Sequence, residues 1–85
     1  MLIEDMDCIF EIPDEMIKKY VIEFAGYKKN YDRDAICSMR DSTFLLIEGL
    51  RANPKSLDDV IVVNSFIKAH AMRQAMEKLG MLYDA

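Results

Sequence analysis

Apolar residues recur with one period in the first dozen positions of this chain and with another in the rest. In the stretch MDCIFEI (6–12), Met6, Cys8, Phe10 and Ile12 fall on one side, with Asp7 and Glu11 on the other. That near-alternation is the period of a strand, interrupted by Ile9. A helical stripe through Ile3, Met6 and Phe10 fits nearly as well, and no second segment offers an obvious edge for pairing. Residues 1–12 are therefore expected to form an extended or short-strand arm.

Beyond Pro13 the period is helical. Proline suits the first turn of a helix, and Asp14 and Glu15 sit well beside its positive end. Ile17, Tyr20, Val21 and Phe24 follow at i, i+3, i+4, i+7, one buried stripe. A first helix over 13–29 is expected, closed at Gly26 or Asn30. Asp32 or Asp34 can cap a second helix over 33–52, whose inward stripe is Ile36, Met39, Thr43, Leu46, Ile47 and Leu50. Asn53-Pro54 stops it, because the residue before proline avoids helical angles. Ser56, with Asp59 three positions on, starts a third helix expected to run to Leu79, where Gly80 closes it.

The third helix, 56–79, carries an unusual load. Val60 to Val63 are four consecutive apolar residues, and turns of about 100° spread them around the rod. Three apolar stripes can be traced along it, more than two shorter helices of the same chain can cover. The uncovered part, drawn from Val60, Val62, Val63, Phe66, Ile67, Ala69 and Met76, is expected to meet a second copy in a homodimer or higher oligomer. The segment VIVVNSF also reads as a buried strand, but its capping residues and helix-favouring tail argue for helix. The fold class expected is thus all-α: one three-helix domain with a long third helix behind an acidic arm.

Composition narrows the function. Eighty-five residues support one core, with 52% hydrophobic and 31% charged residues. The net charge of −4 disfavours DNA binding. A recognition helix is disfavoured too, because the third helix opens on Asp58, Asp59 and four aliphatics. The longest unbroken apolar runs span four residues, far below a membrane span, and the first ten residues lack a basic leader. A cytoplasmic location is expected, with Cys8 and Cys37 as reduced thiols. Glu4, Asp5, Asp7, Glu11, Asp14 and Glu15 crowd the first seventeen residues with no base among them. They either dock on a basic partner or lie beside the chain's own Lys18, Lys19, Lys28, Lys29 and Arg33.

Candidate chemistry is sparse. In GYKKNYDR (26–33), Tyr27 and Tyr31 share a helix face, and Lys28, Lys29 and Arg33 stand ready for phosphate oxygens. The segment reads as a stacking site for a nucleotide-like anion or as the solvated end of a helix. His70, the single histidine, has Phe66, Ile67, Arg73 and Gln74 one turn away, so no carboxylate is offered locally for general-base work. No spacing of cysteine, histidine or acids fits a metal site, and no cofactor motif is present. Gly49 is expected to let two helices approach closely. Met72, Met76 and Met81 are either core or an adaptable partner groove. The function expected is a non-catalytic, homo-oligomeric protein-interaction module, an adaptor, regulator or inhibitor of a partner protein. The alternative is a small-ligand binder at a subunit boundary, built on Tyr27, Lys28, Lys29, Tyr31 and Arg33.

Overall fold

The computed structural model describes residues 1–52 and 59–82. Strands β1 (Leu2–Asp5) and β2 (Cys8–Glu11) are followed by helices α1 (Asp14–Asn30), α2 (Arg33–Arg51) and α3 (Val60–Lys78). The domain is a three-helix fold carrying a two-stranded sheet at its N-terminus.

The arm is therefore a hairpin, and the helical alternative for residues 3–10 is overturned. The missing pairing edge lies in the residues just before it: Leu2 pairs with Glu11, Ile3 with Phe10, Glu4 with Ile9 and Asp5 with Cys8, antiparallel. Met6 and Asp7 form the two-residue turn, both with positive φ (52° and 59°), the type I′ geometry that matches the twist of paired strands. Such turns favour Asn-Gly, and this one forces two side chains into the left-handed region. Partnered residues share a face. Phe10 points inward, with Ile12 buried just beyond the strand and Ile3 packed partly against the core. Leu2, Glu4, Ile9 and Glu11 form the outer face. Ile9, which broke the alternation, is an outward-facing aliphatic, 71% exposed.

Helix α1 follows expectation. Ile17, Tyr20 and Phe24 are buried and Val21 is half-buried, while Gly26 lies inside the helix instead of ending it. Asp32 caps α2, its side chain accepting from the Ala35 N–H at 2.9 Å. Thr43 and Ile47 face inward, and the Thr43 hydroxyl is satisfied by the Met39 carbonyl. Leu46 departs from the expected stripe and is exposed. Gly49 has open space where a side chain would stand, so it mediates no close helix approach within the chain. Helix α3 is capped by Asp59, which accepts from the Ile61 N–H. The expected stop at Asn53-Pro54 and the expected start at Ser56 lie outside the described residues. The C-terminus of α3 is a Schellman closure: the Met81 N–H reaches the Met76 carbonyl, the Gly80 N–H reaches Glu77, and Gly80 is left-handed at φ 67°.

Helix α3 is the axis of the domain, with α1 and α2 each packed along it. The hairpin adds further cover, with Phe10 edge-on against Phe66 at a 5.0 Å ring separation. This extra cover changes the account of α3. Phe66, Ala69, Ala71, Ala75 and Met76 are fully buried inside one chain, so Phe66, Ala69 and Met76, expected at an interface between copies, are core residues of the single chain. Val63 and Ile67 pack partly against the same core and Val62 is half-buried. What stays uncovered is the first turn, where Val60 and Ile61 are 71% and 75% exposed. Among the described residues no helix is long and apolar enough to cross a membrane.

Candidate functional site

Three charged or titratable side chains from three elements meet beneath the hairpin. Asp5 ends β1, Arg51 ends α2 and His70 lies in the middle of α3. The turn at Met6-Asp7 aims Asp5 inward, since Asp5 shares its face with the inward-pointing Ile3. Arg51 grips its carboxylate through two nitrogens, Nε to both oxygens at 3.0 and 2.9 Å and the terminal NH2 group to Oδ2 at 2.7 Å. From the other side His70 Nε2 lies 2.9 Å from the same Oδ2. An ionised carboxylate only accepts, so the Nε2–H of His70 is the donor.

His70 is 2% exposed. Its ring stands edge-on to Phe66 at 4.6 Å, and its Nδ1 is buried with no hydrogen-bond partner among the described residues. A neutral ring leaves only a bare lone pair there; a second proton would place an N–H in the interior with no acceptor. Burial accordingly pushes the His70 pKa below the ordinary histidine value of 6.5. The hydrogen bond and charge of Asp5 pull the other way, and the Arg51 and Arg73 guanidiniums add to the depression. For Asp5, burial works to raise the pKa, but the hydrogen bonds and charges of Arg51 and His70 outweigh it and hold the group below the usual carboxylate value. At neutral pH the cluster is an ionised Asp5, a charged Arg51 and a neutral His70.

The cluster floors a cleft of about 340 Å³ lined also by Ile3, Glu4, Phe44, Ile47, Glu48 and Arg73. A histidine hydrogen-bonded to a carboxylate is the orienting half of many catalytic arrangements, but general-base work needs the other ring nitrogen within reach of a substrate. Here that nitrogen is shut in the interior. What the cluster does is tie the hairpin to two helices, by an ion pair to Arg51 on α2 and a hydrogen bond from neutral His70 on α3. The expectation that His70 lacks a carboxylate partner is overturned. The partner is 65 residues away in sequence, and no search one helical turn to either side could find it.

The remaining acids of the arm stay near the surface. Glu11 and Asp14 lie 3.3 and 3.5 Å from the Met1 ammonium, and Glu4, Asp7 and Glu15 are exposed. Among the described residues, the arm's ion pairs run to Arg51, His70 and that ammonium, none to the lysines of α1 or to Arg33.

The segment 26–33 is a helix junction. Tyr27 and Tyr31 do share a face, but their rings meet each other at 5.3 Å, contact distance for an aromatic pair, and leave no slot between them. They end a run of ring contacts through Tyr20, Phe24 and Tyr27. The Tyr27 hydroxyl donates to Glu23 at 2.8 Å, which favours the protonated phenol and raises its pKa. Lys28 donates to the Leu79 carbonyl, tying α1 to the end of α3. Lys29 and Arg33 are exposed. Of the three methionines singled out, Met76 and Met81 are core; Met72 is half-buried beneath a groove between α1 and α2, beside Phe24, Tyr27, Met39 and Leu46. Among the described residues no group of three acids, cysteines or histidines could hold a metal ion.

The chain matches no protein-family model, and neither the curated proteins nor the solved structures yield a match to it.

Proposed function

We propose that this protein is a non-catalytic interaction module whose contact surface is the outer face of the N-terminal hairpin. The observation that carries the reading is the state of that face: Leu2 and Ile9, 67% and 71% exposed, lie across the hairpin from Glu11 and Glu4. Two large aliphatics on a short surface sheet stay wet at a cost of roughly 25 cal/mol per Å². Asp7 at the turn and Glu15 at the start of α1 extend the acidic border. The complementary partner is a protein surface with an apolar hollow rimmed by lysine and arginine. Self-association is the second part of the proposal. It would use the first turn of α3, where Val60 and Ile61 are uncovered, as the wet end of a helix otherwise enclosed by its own chain.

A photo-crosslinking residue placed at position 9 tests the first part, with the same residue at the equally exposed Ile22 on α1 as reference. A defined heterologous adduct from position 9 is expected, weakened by added salt and by Glu4→Gln with Glu11→Gln. Equal adducts from both positions would remove the hairpin from the proposal. Sedimentation of the full chain with and without Val60→Asp tests the second part: the substitution should convert an oligomer into a lone subunit. The alternative, a nucleotide-like ligand held at a subunit boundary by Tyr27, Lys28, Lys29, Tyr31 and Arg33, predicts stabilisation of about 2.7 kcal/mol by a nucleotide at a hundred times its Kd, read as a rise in melting temperature.

A further inference from the structure

We propose that Asp5, Arg51 and His70 form a pH-sensitive latch that holds the hairpin on the helices while His70 is neutral and releases it when His70 takes up a second proton. The geometry sets both states. In the closed state the hairpin's single inward carboxylate is shared by Arg51 and the His70 Nε2–H. The buried Nδ1 atom has no hydrogen-bond partner among the described residues. Protonation there creates a buried donor that nothing in the closed form can satisfy, and lifting the hairpin lets water satisfy it.

The charged groups around the ring pull both ways, Asp5 favouring the imidazolium and Arg51 and Arg73 opposing it, and burial tips the balance toward the neutral ring. From β1 come Asp5, in direct contact, and Glu4 in the cleft wall; from α2 come Arg51 and Glu48; from α3 itself comes Arg73. Helix α1 and strand β2 add no charged group to the cleft lining. Asp5 is the acid that touches the imidazole, and its charge is already met by the bidentate Arg51 grip. An imidazolium would therefore face two guanidiniums with a neutralised carboxylate between. Met6 and Asp7, next to Asp5, sit in left-handed backbone, a strained conformation for residues with side chains.

The direction with pH follows from linkage. The open state, with its histidine wet, takes up a proton near 6.5; the closed state resists until a lower pH. The ratio of open to closed hairpin is therefore constant above pH 6.5 and rises as pH falls through the window between the two values, by at most about tenfold per pH unit. Below the closed-state value His70 is protonated in both forms and its contribution to the ratio levels off. If the hairpin is the contact face proposed above, acid weakens partner binding as far as it depletes the closed fraction, to which the apparent affinity is proportional. That consequence rests on the earlier reading, whereas the latch itself does not.

Both tests use the free, full-length wild-type chain. It contains a single histidine, so one proton resonance of the imidazole reports the titration without a variant. Half-protonation clearly below pH 6.5 is expected. Hydrogen exchange, corrected for intrinsic rates, then reads opening. Protection of the hairpin amides and of the Ile12 N–H, which bonds the Met1 carbonyl, should fall up to tenfold per unit below pH 6.5 while the interior amides of α1 hold. A histidine titrating at or above 6.5, or hairpin and α1 losing protection in parallel, would overturn the latch. Neither result depends on a partner, so loss of the crosslinked adduct and loss of the latch are separate failures.

Discussion

The Tyr27–Arg33 segment and the Asp5–Arg51–His70 cluster are opposites in how they display chemistry. The first packs two rings and three cations into seven residues, and in the folded chain its parts take structural duties: the rings stack on each other and Lys28 caps α3. The second spreads one acid, one base and one histidine over 66 positions, and folding brings them within hydrogen-bond distance under cover of Phe66. Density along a sequence measures proximity in one dimension. Cooperation between charges needs a shared, dry location, because electrostatic interactions gain strength only where water is excluded.

The largest expected effect that tests this contrast is Asp5→Ala. It leaves the His70 Nε2–H buried without an acceptor, which costs about 2 kcal/mol in a denaturant melt. The exposed side of Arg51 contributes little of that. A loss under about 0.5 kcal/mol would put the cluster on a level with a surface ion pair. Next comes Asp7→Gly, which removes a side chain from left-handed backbone and should stabilise the protein by about 1 kcal/mol. It should also raise hairpin protection at neutral pH; an unchanged or lowered midpoint would show that the turn stores no strain. The smallest effect is expected from Arg33→Ala with Lys29→Ala, both exposed, within about 0.5 kcal/mol of wild type and without change in hairpin protection. A loss above 1 kcal/mol there would make the segment as structurally committed as the buried cluster.

Helix α3 shows how far the pattern of the chain could be followed. Its greasy circumference is plain from Val60 to Met76, and the conclusion that two helices cannot cover it is sound. The error lay in the source of the remaining cover. The hairpin supplies part of it through Phe10, while Val60 and Ile61 at the helix start are largely exposed and Val62, Val63 and Ile67 are half-buried. The hairpin was legible in its second strand alone, since four-residue strands give barely two periods of alternation and Met-Asp is an uncommon turn.

By itself the sequence determined the three helices, a cap for α2 at Asp32 or Asp34, the closure at Gly80, the inward stripe of α1 and the placing of acids ahead of bases. These follow from interactions within one or two helical turns, which neighbouring residues specify. The tertiary structure alone decided that residues 2–11 pair with themselves, that they add to the cover of α3, and that Asp5 reaches His70 across 65 residues. Those outcomes depend on which surfaces meet when the core closes, and a buried hydrogen bond between distant side chains exists only after that closure has removed the water.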